Sequence, residues 1–156
     1  MIILGIDPGT VRVGYGVVRR EGARFSHVES GLFDVRGSSL TDRLVTLSRS
    51  LDDLLGRHDF SAGGVERLYF TTNQKTAISV AQARGVIILG LGRCGVPVHE
   101  VAPTEVKASL TSNGRATKDA VARMVGYFLG MDMDGVIDDV ADALAVAITV
   151  GGMRNA

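Results

Sequence analysis

The sequence predicts a mixed α/β sheet with an antiparallel edge and a parallel centre. Three observations carry this reading: three strand patterns crowd the first 35 residues, helical and strand patterns then alternate, and the chain closes on helical patterns alone. Ile2 to Asp7 is an apolar run of the kind buried on both sheet faces, closed by the turn signal Pro8-Gly9. Gly14 to Arg20 and Phe25 to Val35 follow as two further strands and complete a meander. From Leu40 to Leu55 the residues Leu40, Leu44, Leu47, Leu51, Leu54 and Leu55 form one apolar stripe opposite a polar face, which is a crossover helix. Gly63 to Phe70 reads as a strand ending in a functional loop, Thr76 to Leu91 as a largely apolar helix, and Val96 to Val101 as a fifth strand. Helices are expected over Pro103 to Leu110, Lys118 to Leu129 and Asp138 to Val150, with Pro103 suited to a first turn and Gly114-Arg115 marking a break. The order βββαβαβααα gives a five-stranded sheet with helices on both faces.

The 156 residues, nearly half of them apolar and only three of them proline, suit one domain spanning 1–156. The N-terminus lacks the basic segment and long apolar core of a secretion signal, and Gly85 to Gly92 is too short to cross a bilayer, so a cytoplasmic location is expected. A single cysteine, Cys94, excludes an internal disulfide and reads as a buried small hydrophobe, while His27, His58 and His99 have no zinc-like spacing. Formal charge is zero, which by itself disfavours a nucleic-acid partner. The distribution says otherwise. Asp132, Asp134, Asp138, Asp139 and Asp142 fall within eleven residues, whereas Arg84 to Arg123 holds six basic residues against three acidic ones. Divalent cations bound by the acids would make the charge positive where a phosphate approaches.

Four carboxylates stand in positions that ask for an explanation. Asp7 ends a buried strand beside a tight turn, where it either caps the turn or faces a cation. Glu66 interrupts an apolar strand, so its charge needs an arginine partner or a metal. Asp139 and Asp142 are three residues apart at the start of an alanine-rich helix, on one otherwise apolar face, where they repel each other. The helix dipole would be satisfied by Asp138 and Asp139 alone, so Asp142 calls for a cation, and Asp138 competes with Asp139 as the second acid. Acids from three separated segments fit a two-metal site with ions about 4 Å apart, whose natural reaction is phosphodiester hydrolysis. Sites in open sheets form beyond the carboxyl ends of central strands, where Asp7 and Glu66 both sit.

Four motifs carry a family resemblance in order and spacing: Gly5-Ile-Asp-Pro-Gly-Thr10, Val65-Glu-Arg-Leu-Tyr-Phe70 running into Asn73, Gln82-Ala-Arg-Gly85, and Asp139-Val-Ala-Asp-Ala-Leu-Ala145. Over nearly its whole length the chain resembles the RuvC family of bacterial Holliday junction resolvases, which implies an RNase H-like fold. The resemblance implies a Mg²⁺-dependent homodimer, with two ions per active site and Mn²⁺ able to substitute, that nicks a four-way junction symmetrically and leaves 5′-phosphate and 3′-hydroxyl ends. It makes Asp7, Glu66, Asp139 and Asp142 the metal-binding catalytic acids, gives Lys107 and Lys118 contacts to DNA near the scissile phosphate, and counts Lys118 in the catalytic set. Tyr69, where the family usually carries phenylalanine, and Phe70 become bases' stacking partners in a DNA-binding loop that includes Asn73. The helix from Thr76 to Leu91 resembles the family's dimer region, although a core helix would show the same pattern. Gly14 and Gly16 either admit a substrate backbone or let a helix pack closely. A branch-migration motor, RuvA with RuvB, is the further partner implied. Sugar-kinase and actin-like ATPases share the opening motif but need two copies of the fold; another RNase H-like nuclease and a non-catalytic junction-binding module remain as rivals.

Overall fold

The computed structural model describes residues 1–9, 12–68 and 74–153, the side chains of 74–76 excepted. Strands β1 (Ile2–Pro8), β2 (Val13–Glu21) and β3 (Arg24–Leu32) are followed by α1 (Leu40–Leu55), β4 (Ala62–Glu66), α2 (Gln74–Arg93), β5 (Val98–Val101), α3 (Pro103–Thr111), α4 (Lys118–Leu129) and α5 (Asp138–Gly152). The five strands lie in the order β3-β2-β1-β4-β5. β1 pairs antiparallel with β2 and parallel with β4, which in turn pairs parallel with β5. This is the expected mixed sheet, meander at one side and crossovers at the other.

Because side chains alternate across a strand, residue parity assigns each position to a face. Ile3 of β1 and Ala62 of β4 belong to the core against α3, α4 and α5, whereas Leu4 and Ile6 of β1 and Val65 of β4 belong to the core against α1 and α2. Gly5, Asp7, Gly64 and Glu66 therefore share the α5 face. The register pairs Gly5 with Gly64 and Asp7 with Gly14, which puts the two acids side by side at the ends of the parallel pair.

Glycine decides how near α5 can come. A methyl group on Gly5 would overlap the Ala143 carbonyl and stand 2.5 Å from the Ala147 nitrogen, and one on Gly14 would overlap the Asp139 carbonyl. On Gly16 it would lie 2.6 Å from Leu144 Cδ2, and on Gly64 2.7 Å from both Val146 Cγ1 and Val150 Cγ2. These four glycines form a bare strip on which α5 rests directly, at separations that real Cβ atoms do not tolerate. Of the two readings of Gly14 and Gly16, helix packing is the one the structure bears out. α5 answers with small residues: Ala143, Ala145, Ala147 and Gly151 are buried along its length.

Some boundaries shift. β3 ends at Leu32 rather than Val35, although the Phe33 amide still donates to the Val13 carbonyl at 2.9 Å. β4 ends at Glu66 rather than Phe70, and β5 starts at Val98 rather than Val96. α2 runs from Gln74 to Arg93, longer at both ends than its apolar pattern. The expectation of a buried Cys94 is wrong: it is exposed, because it falls in the exposed turn that ends α2, where Gly95 at φ +70° brings the chain back to bury Val96. No helix among the described residues is long and apolar enough to cross a membrane.

Candidate active site

Three elements bring the acids together. Parity places Asp7 and Glu66 on the α5 face, and the glycine strip brings the first turn of α5, with Asp139 and Asp142, down onto their strand ends. Burial and then the neighbouring charges of Glu66, Asp142 and Asp139 raise the Asp7 carboxyl from 3.8 to about 7, against a weaker lowering by Lys118. Burial and then Asp142 also raise Glu66, with Lys118 and Lys107 acting in the opposite sense. Asp7 and Glu66 are thus partly desolvated beside the charges of the two helix acids, and Asp7 is only partly ionised near neutral pH.

Asp138 and Asp139 part company at this point. Asp139 is half-buried and faces Asp7, whereas Asp138 is exposed and lines a recess with Lys118, Asp119 and Asp142. The geometry therefore ranges Asp139, rather than Asp138, with the other three acids.

Basic residues edge the same space. Lys118 is the first residue of α4, whose N-cap Thr117 accepts a hydrogen bond from the Ala120 amide at 3.2 Å. A cation at a helix start opposes the dipole. Its Nζ, 3.1 Å from Asp142 Oδ2, finds its compensation there, and that hydrogen bond and charge raise its pKa. Lys107 is positioned by α3, where Pro103 opens the first turn and the Glu105 carboxylate accepts from the Ala102 amide at 2.6 Å. Glu66, Lys107, Lys118 and Asp142 line one open cavity of about 210 Å³, floored by Val106 and Val121. Tyr69, Phe70 and Asn73 lie outside the described residues.

Two residues with no role in the sequence reading stand close to the acids. Arg12, the residue before β2, has Nε 2.9 Å from Asp139 Oδ2. The contact is an ion pair without a directed hydrogen bond, because the buried Oδ2 accepts none from the described residues. Arg84 of α2 donates through Nε to the Glu66 carbonyl at 3.3 Å and pairs with the Glu100 carboxylate, fastening α2 to the end of β4. Arg84 could have been singled out from its place in Gln82-Ala-Arg-Gly85; Arg12 gave no signal beyond being basic just after the first turn.

The donor set suits a hard divalent cation: oxygen ligands only, partly desolvated, mutually repelling, with one buried carboxylate oxygen lacking a hydrogen bond. Among the described residues no three acids are gathered closely enough to hold a metal ion as they stand. Asp139 and Asp142 are instead engaged by Arg12 and Lys118.

Residues 3–150 match the family model "Crossover junction endodeoxyribonuclease RuvC". The chain belongs to the RuvC family. Its similarity to the crossover junction endodeoxyribonuclease RuvC of Rubrobacter xylanophilus is 46% identity over 148 residues, covering 94% of this chain and 83% of that protein. A Thermus thermophilus RuvC in complex with Holliday junction substrate superposes with a TM-score of 0.91 at 31% identity, covering 99% of this chain and 95% of that one. The yeast mitochondrial Holliday junction resolvase Ydc2 shares the fold, with a TM-score of 0.63 at 15% identity over 94% of this chain and 77% of that one. For this RuvC-family chain the mixed five-stranded sheet is RNase H-like, as expected. The enzyme class is nuclease, one that hydrolyses phosphodiester bonds with the help of divalent metal.

Proposed function

We propose that this chain resolves four-way DNA junctions by symmetric paired nicks, as a single nuclease domain that pairs with a second copy of itself. The observation that carries the reading is the meeting of Asp7, Glu66, Asp139 and Asp142 at one end of the sheet, with the Asp7 carboxyl pushed up to about 7 by burial and by the other three. Those four acids would hold two Mg²⁺ ions, with Mn²⁺ as a working substitute. When bound, the ions supply an acidified attacking water and positive charge at the leaving 3′ oxygen.

Within that scheme the chain's own residues have separate tasks. Asp7 must be ionised to serve as a ligand, so it surrenders its proton as the site loads. Lys107 and Lys118 flank the cavity beside Glu66 and Asp142, where their ammonium groups clamp the phosphodiester and balance its charge. Tyr69 and Phe70, with Asn73, are the residues this reading assigns to unpaired bases at the junction centre. Exposed apolar side chains on α1 and α2, among them Val45, Ile78 and Leu89, offer the surface for the second copy. Action on chromosomal DNA in recombination and repair places the protein in the cytoplasm, with a RuvA–RuvB motor as the partner that delivers junctions.

The test is cleavage of a synthetic four-way junction with and without Mg²⁺. Paired symmetric nicks that need the metal, with linear duplex left intact, are expected. Equal cutting of linear duplex would overturn the reading.

A further inference from the structure

We propose that Arg12 is a tethered counter-ion of the metal-free active site, occupying the Asp139 carboxylate that a divalent cation takes over and setting how tightly that cation is held. The proposal rests on the reading of the four acids as metal ligands.

The geometry is that of a placeholder rather than a structural bridge. Arginine built into a fold as an ion-pair partner often grips a carboxylate with two parallel N–H bonds and in any case aims an N–H at it. Arg12 does not. Its nearest approach is Nε at 2.9 Å from Asp139 Oδ2, without a directed hydrogen bond, so the buried oxygen receives charge but stays short of a donor. An acceptor in that condition is better served by a metal ion than by the guanidinium that stands there. The arginine can leave: its side chain is 56% exposed, against 21% for the aspartate.

Its backbone, by contrast, is held. Arg12 lies next to Gly9, where a methyl group would overlap the Arg12 carbonyl, and the next residue starts β2 paired to Pro8. The side chain is thus anchored at the mouth of the site by the β1–β2 pairing beside it and can swing away from Asp139 without changing the fold. Lys118 does the corresponding work on the other α5 acid, at 3.1 Å from Asp142 Oδ2. Each of the two helix acids therefore carries one internal cation in the metal-free protein. Lys118 hydrogen-bonds its partner and Arg12 does not, which makes Arg12 the more readily displaced.

Competition for one carboxylate has a measurable consequence. Titration of the full-length protein with Mn²⁺ alone, followed by calorimetry without DNA, should show Arg12→Gln binding roughly two- to fivefold more tightly than the wild type, the scale of a partly exposed ion pair. The same variant should melt at a lower temperature in EDTA, because Asp139 then has no counter-charge. Since the contact is one of charge rather than of a two-pronged fork, Arg12→Lys should bind within about twofold of the wild type. In wild-type protein labelled with ¹⁵N-arginine, the Arg12 Nε resonance should move in step with metal saturation, an observation that needs no variant to fold. Unchanged or weaker Mn²⁺ affinity in Arg12→Gln, or an Nε signal indifferent to metal, would overturn the proposal while leaving the metal site in place. A wild type that binds no Mn²⁺, matched by Asp139→Asn, would overturn both and is a distinct result.

Discussion

Asp7 is the residue whose surroundings most depart from those of an ordinary carboxylate. Between its unfolded value of 3.8 and its folded value of about 7, the native metal-free protein holds a proton that the unfolded chain has released. Folded protein then binds more protons than unfolded, so unfolding free energy falls as pH rises through this window. The stability present at low pH is lost by the time pH passes the folded value. In EDTA the melting temperature should therefore fall from about pH 4 to about pH 7, and Asp7→Asn should flatten much of that slope, leaving a remainder from Glu66, which is shifted in the same direction. A wild-type profile as flat as that of the variant would contradict the burial described for Asp7. Saturating Mg²⁺ should reverse the slope, because metal binds the ionised carboxylate. A second residue-scale test concerns Gly14. Alanine there would push on the Asp139 carbonyl, and overpacking of this kind costs about 1–3 kcal/mol. Gly14→Ala should lower the melting temperature and impair metal-dependent cleavage together, since the displaced group is the first turn of α5. A variant with unchanged stability would show that the helix can lift off the sheet cheaply.

Among the elements, α5 and α2 show where pattern reading succeeds and where it stops. The start of α5 at Asp138 was legible because acids precede an unbroken apolar stretch, and its Asp139–Asp142 spacing put both carboxylates on one face. What a helical pattern cannot convey is the distance to the next layer. That distance follows from Gly5, Gly14, Gly16 and Gly64, which fall on three strands and become one strip only when the strands are in register. α2 posed the opposite difficulty. Its largely apolar composition left core and interface readings open, because both bury apolar groups. The structure separates them residue by residue: Ile87 and Leu91 are fully buried, while Ile78 and Leu89 are 59% and 62% exposed. An open recess lined by Leu44, Val45, Val86 and Leu89 joins α1 and α2 on that outer surface. If a second copy covers it, Leu89→Glu should yield a folded monomer by analytical ultracentrifugation where the wild type sediments as a dimer. A variant that remains dimeric would move the subunit interface elsewhere.

At the scale of the whole molecule, zero net charge misleads because it hides a local gathering of acids and bases at one end of the sheet. Lys107 and Lys118 face the cavity that Glu66 and Asp142 also line, so phosphate binding and metal chemistry are neighbouring but separable tasks. Asp7→Asn should accordingly retain junction binding and lose cleavage, as followed by gel shift and nicking on the same substrate. Loss of binding in a folded variant would contradict that division. Binding that rests on phosphate contacts should also weaken steeply with salt, and a flat response would point to another kind of ligand. Five strands, five helices and their order were readable from the chain, because periodicity and turn residues are local signals that burial on one or both faces imposes directly. That the four acids and two lysines gather at one end of the sheet could be anticipated too, through unusual placement and family resemblance. Three matters belong to the folded molecule alone. Asp139 was separated from Asp138 by the direction in which each side chain leaves α5, the contacts of Arg12 and Arg84 arose between residues distant in the chain, and Cys94 was left exposed by the exit of the chain from α2. Each depends on register and on the closeness of two layers, quantities that come from packing many residues together and that no stretch of local sequence contains.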